Sequence, residues 1–198
     1  MFNSFNFDQH EVDMQQYYFF KEGFTKKKLN KIEKDVATLP FNDASTAGGS
    51  DKKLRSSSVK WIPQTNNWWW LYETLAGYAT QANNALWNFD LHQIPEQIQY
   101  TEYYATQKGH YDWHADIGPG LLSKRKISIT VQLSEPDEYE GGDMELFKGG
   151  SMNGPFEQAP RKEGCVFIFP SFMMHRVSPV TKGTRKSFVL WLGGTHYK

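Results

Sequence analysis

The feature that most restricts the fold is a change of period near residue 94. Upstream, apolar residues recur at helical spacing; downstream, they come in short runs broken by glycine and proline. From Thr25 to Leu39, the residues Leu29, Ile32, Val36 and Leu39 share one helical face, with lysines between them. A second stripe of Leu71, Leu75, Tyr78, Ala82 and Leu86 predicts a helix from about Asn67 to Trp87, downstream of Pro63. After Ile94 the pattern predicts strands over Ile98 to Tyr104, Ile127 to Leu133, Met144 to Phe147, Cys165 to Phe169, His175 to Val180 and Ser187 to Leu192. Turns at Gly118-Pro119-Gly120, Gly141-Gly142, Gly149-Gly150, Gly154-Pro155 and Lys182-Gly183 punctuate them. Helices first and many short strands later imply a mainly β fold with flanking helices, a sandwich or an open barrel. The stretch Asn42 to Lys60, rich in Gly, Ser, Asp and Lys, reads as a surface loop too polar for the core. At 198 residues the chain has the length of one domain. The expected division of 1–198 is helical support and a substrate loop over 1–93, then a β-core over 94–198.

Composition removes several classes of function. Lys+Arg and Asp+Glu each total 22, and a net charge of zero argues against a protein that coats nucleic acid. With a single cysteine, Cys165, the chain can form neither an internal disulfide nor a thiolate zinc cluster. Cys165 lies in the apolar run Cys165-Val166-Phe167-Ile168-Phe169, which favours a buried, inert thiol. The opening Met1-Phe2-Asn3-Ser4-Phe5-Asn6 lacks a basic region followed by an apolar stretch, and no apolar run has the length of a membrane span. The expectation is a cytoplasmic protein in a reducing compartment.

The chemistry points to three stations: His114-Ala115-Asp116, then His175, then Arg185. Two imidazoles and one carboxylate on one face of an octahedral ferrous ion leave three positions open for a bidentate 2-oxo acid and dioxygen. In a strand, residues i and i+2 face the same side, so His114 and Asp116 can reach one metal together, with His175 facing them from another strand. The run His110-Tyr111-Asp112-Trp113-His114-Ala115-Asp116 contains two overlapping His-x-Asp triplets, and strand parity alone does not choose between them. Arg185, Ser187, Val189 and Trp191 share one face of the last strand. There a guanidinium beside a hydroxyl makes a carboxylate receptor, and a buried Arg would need such an anion.

His114-x-Asp116, His175 and Arg185-x-Ser187 resemble the signature of the Fe(II)- and 2-oxoglutarate-dependent oxygenases, in their prolyl-4-hydroxylase-like branch. The likeness runs from roughly Gln97 to Leu192. It implies a double-stranded β-helix, a jelly roll of cupin type. It also implies Fe(II) on His114, Asp116 and His175, and 2-oxoglutarate on Arg185 and Ser187 with a hydrogen bond from Tyr104. The second His-x-Asp triplet is preferred because Tyr111 then stands three residues before the ligand, as in the family pattern. Tyr111 and Trp191 would shape the substrate cavity, although core packing explains them equally. Arg55-Ser56-Ser57-Ser58-Val59-Lys60-Trp61 resembles a stretch beside the peptide groove of prolyl 4-hydroxylases, which makes Arg55 and Trp61 substrate residues. Ser56 replaces a family Thr and Val59 a family Gly, so proline need not be the target. The implied reaction consumes dioxygen and 2-oxoglutarate, releases succinate and CO2, and hydroxylates a protein or peptide side chain, with ascorbate a candidate reductant. The alternatives are a hydroxylase of small molecules or nucleobases in the same superfamily, or a non-catalytic barrel that binds metal and carboxylate.

Overall fold

The computed structural model describes residues 16–43, 51–151 and 153–197. The opening Met1 to Asn6, and residues 44–50 of the expected loop, lie outside the described residues. In chain order the elements are β1 (Tyr18–Phe20), α1 (Lys26–Ala37), β2 (Asn42–Asp43), β3 (Arg55–Ser56), β4 (Ser58–Ile62), α2 (Asn66–Leu86), β5 (Leu91–Gln93) and β6 (Ile98–Tyr104). They continue with β7 (His110–His114), β8 (Arg125–Gln132), β9 (Tyr139–Gly141), β10 (Met144–Leu146), β11 (Glu157–Gln158), β12 (Val166–Pro170), β13 (His175–Val177) and β14 (Val180–Gly194).

Both expected helices form, for the reasons their sequences suggest. The Thr25 hydroxyl caps α1 by accepting from the Lys28 amide, and Leu29, Ile32 and Val36 are buried along one stripe. Each such side chain contributes about 1.5–3 kcal/mol when fully removed from water. Tyr72 of α2 ties the helix to the sheet, its hydroxyl donating to the Ile62 carbonyl at 2.6 Å and accepting from the Ile98 amide at 2.9 Å.

The strands make two sheets with every pairing antiparallel. The larger runs β1-β12-β8-β14-β6-β4-β2, with β5 and β9 also on β14; the smaller runs β11-β10-β13-β7-β3. This is the two-sheet jelly roll of a double-stranded β-helix. The apolar residues Ile127, Ile129, Val131, Val166, Ile168, Phe188, Leu190 and Leu192 pack with the helices in the main core. The opposite face of the same strands, with Ser128, Thr130, Ser187 and Trp191, turns inward between the sheets and is also buried. Strand β8 therefore has no exposed face.

Two expectations fail locally. The end of the presumed loop, Arg55 to Lys60, is strand, with Arg55, Val59 and Lys60 buried. Its polarity is consumed internally: the Lys60 ammonium donates to the Val36 carbonyl at 3.0 Å and caps α1 from outside the helix. The expected turn at Lys182-Gly183 does not interrupt β14, because Gly183 adopts φ +69° inside the strand, where a Cβ would collide with the Glu138 carbonyl of the neighbouring loop.

Candidate active site

The decisive local feature is a β-bulge in β7. His175 of β13 pairs with His114 and Val177 with Tyr111, so one residue of β13, Arg176, lies opposite two of β7, Asp112 and Trp113. The extra residue breaks the parity that the run from His110 to Asp116 would otherwise keep. Tyr111 and His114 consequently face the same side, their rings stacked with centroids 3.4 Å apart and planes 14° from parallel. His110 is directed elsewhere, both ring nitrogens lying on backbone oxygens, Lys108 at 2.8 Å and Lys53 at 2.9 Å, and Asp112 is exposed. Shared parity of the two triplets is therefore corrected by the bulge, and only the second triplet reaches the interior.

Asp116 lies just beyond β7. Its amide donates to the Ser171 carbonyl at 2.9 Å, its carbonyl accepts from Arg125 at 3.0 Å, and its Oδ2 accepts from the Ser128 hydroxyl at 2.7 Å. His175 Nε2 stands 3.5 Å from Asp116 Oδ2 and His114 Nε2 stands 3.8 Å from Oδ1. One ligand atom from each of the three residues lies within 4.8 Å of the others. His114 donates through Nδ1 to the Asp112 carbonyl at 2.7 Å and His175 through Nδ1 to the Met173 carbonyl at 2.8 Å. These bonds fix the tautomers and leave both Nε2 lone pairs free for a metal. Burial pushes the His114 ring down to about 3, with His175 beside it adding to the effect. Burial alone would raise the Asp116 carboxyl, but His175, His114 and Arg125 outweigh it and hold it down to about 2. Two imidazoles and a carboxylate, already orientated toward one point, suit a ferrous ion with open positions.

A cavity of about 330 Å³ opens from this triad between the sheets. On its wall, Arg185 is 3% exposed and donates to the Ser187 hydroxyl at 3.1 Å. Among the described residues no carboxylate lies within ion-pair distance of it. A buried guanidinium without a counter-ion fits an acidic co-substrate. Gly142 makes room for it: at φ +64°, a Cβ there would meet Arg185 Cδ at 3.0 Å and Val180 Cγ2 at 2.9 Å.

Trp61, Arg55, Tyr111 and Trp191 also line the cavity, as the sequence suggests. Tyr104 does not. Its hydroxyl bonds Glu102 on the far side of β6, because adjacent strand residues face opposite ways. The β6 tyrosine that lines the cavity is Tyr103, paired across the ladder with Arg185, whose guanidinium lies 5.5 Å from its ring centre. Sequence reading also missed Arg125, held in a two-pronged pair with Glu96 at 2.6 Å for each contact and stacked 3.7 Å from the Trp191 ring. Alternation along β6 in register with Arg185 could have found Tyr103; Arg125 carries no local signal.

Residues 98–193 match the family model of the 2OG-Fe(II) oxygenase superfamily. A PKHD-type hydroxylase of Rippkaea orientalis is 28% identical over 178 residues, covering 86% of this chain and 75% of that one. Another, of Synechococcus elongatus, is 31% identical over 173 residues, covering 83% of this chain and 73% of that one. Among solved structures, a Trichoplax adhaerens prolyl hydroxylase in complex with a hypoxia inducible factor peptide fragment has a TM-score of 0.74 at 15% identity, covering 92% of this chain and 85% of that one. A Pseudomonas putida prolyl-4-hydroxylase has a TM-score of 0.71 at 17% identity, covering 92% of this chain and 95% of that one. The solved structures share the fold; the sequence relatives carry the assignment. This chain belongs to the 2OG-Fe(II) oxygenase superfamily and is a 2-oxoglutarate-dependent dioxygenase of hydroxylase type.

Proposed function

We propose that the enzyme hydroxylates a side chain of a protein or peptide, with proline the leading candidate. The observation that carries this reading is a cavity with His114, Asp116 and His175 on one wall, Arg185 on another, and Arg55 and Trp61 also in its lining. Iron(II) and 2-oxoglutarate, when bound, supply the oxidising chemistry, by which dioxygen, 2-oxoglutarate and a C–H bond become succinate, CO2 and a C–OH bond.

The chain's own residues do the positioning. His114, Asp116 and His175 hold the metal, and Ser128 keeps the carboxylate turned inward. Arg185 and Ser187 take the distal carboxylate of 2-oxoglutarate, in the role first expected to include Tyr104 and here given to Tyr103. Tyr111, whose burial pushes its phenol up to about 12, stays protonated and excludes water beside His114. Trp191, stacked on Arg125, forms an apolar wall for the reacting carbon.

The peptide reading draws on the peptide bound by the structurally similar Trichoplax adhaerens prolyl hydroxylase and on the likeness of Arg55 to Trp61 to a peptide-groove stretch. We place the enzyme in a reducing compartment such as the cytoplasm, in keeping with its single buried Cys165, and take ascorbate as the reductant for assay. The test is incubation with Fe(II), 2-oxoglutarate and ascorbate over a panel of peptides and metabolites, reading succinate and the gain of one oxygen in the substrate. Succinate formation stimulated by metabolites and by no peptide would overturn the peptide assignment.

A further inference from the structure

Charge bookkeeping in the cavity leaves one positive group over. Its ionised lining, apart from the metal ligands, consists of Arg55, Glu96, Arg125 and Arg185. Glu96 and Arg125 cancel through their paired contacts at 2.6 Å. Iron(II) and Arg185 bring three positive charges, and Asp116 with the two carboxylates of 2-oxoglutarate brings three negative ones. Arg55 remains. It is 7% exposed, and among the described residues it has no carboxylate within ion-pair distance.

Its surroundings are built to hold it there. Arg55 Nε donates to the Ser57 hydroxyl at 2.9 Å, NH2 donates to Gln99 Oε1 at 2.7 Å, and the guanidinium lies 4.7 Å from the centre of the Tyr111 ring. The remaining nitrogen makes no hydrogen bond among the described residues. Arg55 and Arg185 have separate anchors: Arg55 reaches Gln99, whose partner across the ladder is Val189, whereas Arg185 lies on Ser187, whose partner is Thr101, and faces Tyr103. The Tyr111 ring touches both the Arg55 guanidinium and the His114 imidazole. A residue needed only to prop Tyr111 would gain nothing from a buried charge, which costs desolvation.

We propose that the substrate presents a carboxylate to Arg55, beside the carbon to be hydroxylated. The proposal rests on the hydroxylase reading above and narrows its substrate class to molecules bearing one negative group close to the target. That group is either the α-carboxylate of a free amino acid or chain end, or an acidic side chain next to the target in a peptide.

Calorimetric titration of protein loaded with Mn(II) and 2-oxoglutarate distinguishes the two sources and tests the idea. One arm uses a panel of N-acetyl amino acids, each as free acid and as amide. The other uses blocked dipeptides of the same residues followed by Asp or Asn. At least one acidic probe should bind roughly ten- to a hundredfold tighter than its neutral partner, as a charged hydrogen-bonded contact implies. The arm showing the gap names the source. In Arg55→Gln the gap should fall below about twofold, and Arg55→Lys should restore part of it, since the charge returns without the fork. No gap in either arm for the wild type, or a gap that survives in Arg55→Gln, overturns the proposal. The loading step separates the two readings: protein that fails to bind 2-oxoglutarate refutes the oxygenase site itself, whereas normal loading with no acid preference refutes only the role of Arg55.

Discussion

Replacing Arg185 by alanine probes the co-substrate anchor most directly. The guanidinium is 3% exposed, its side-chain partner is the neutral Ser187 hydroxyl, and among the described residues it has no counter-ion. Co-substrate binding should complete a buried ion pair, and deleting one member of such a pair costs on the order of 3–5 kcal/mol because the other charge is left unpaired. At about 1.4 kcal/mol per tenfold change, Arg185→Ala should weaken 2-oxoglutarate binding by roughly two to three powers of ten. Metal binding should survive, since His114, Asp116 and His175 are untouched. The unliganded variant should melt close to the wild type, because alanine also removes an unpaired buried charge whose desolvation offsets the lost packing. Arg185→Lys should recover part of the affinity through charge alone. Calorimetric titration with Mn(II), then with 2-oxoglutarate in its presence, alongside thermal melts, reads these effects. Equal affinity across wild type, Ala and Lys would refute the reasoning.

Three further outcomes follow from the same geometry. His114→Ala, Asp116→Ala and His175→Ala should each abolish tight Fe(II) binding, measured by metal retention after desalting, whereas His110→Ala and Asp112→Ala should retain it because the bulge turns those side chains away. Ser128→Ala removes the 2.7 Å bond that orients Asp116 and should cost about ten- to a hundredfold in metal affinity while the fold is preserved. The Cys165 thiol, pushed by burial from its ordinary 9.0 up to about 11, should resist thiol reagents at pH 8 until denaturant is added. Because the folded state favours its neutral form, its contribution to stability is intact below about pH 9 and declines as pH rises toward 11, which chemical unfolding at stepped pH would reveal.

The candidate metal triad was legible through the family resemblance, in which Tyr111 three residues before His114 selects the second of two overlapping His-x-Asp triplets. What was not legible was the bulge. Apolar alternation records which face a residue takes only while the strand is regular, and nothing in His110 to Asp116 announces the extra residue between Tyr111 and His114. The choice of Tyr104 over Tyr103 failed for a related reason: the deciding fact is cross-strand register with Arg185, set by residues some eighty positions away. The stretch from Arg55 to Lys60 misled through composition. Its polar side chains are paid for by partners remote in sequence, Gln99 for Arg55 and the Val36 carbonyl for Lys60, so local polarity was mistaken for exposure. The helices showed none of these failures, since helical periodicity and the Thr25 cap are local.

The two guanidiniums of the cavity also differ in how firmly the fold holds them, and this bears on how specificity can be set. Arg185 belongs to a strand flanked on both sides: β14 pairs with β6 from Thr184 to Val189 and with β8 from Ser187 to Gly193. A shift there would disturb Ser187, Trp191 and, through Ser128, the metal carboxylate itself. Arg55 sits on β3, a two-residue strand at the edge of the smaller sheet, paired only with β7. Edge segments with few partners open and vary at lower cost than doubly paired strands. The candidate co-substrate anchor thus lies on a strand paired on both sides, and the proposed substrate contact on one paired on a single side. Substitutions at Arg55 should consequently redirect substrate choice without loosening the iron or 2-oxoglutarate sites, whereas substitutions at Arg185 should weaken 2-oxoglutarate binding whatever the substrate.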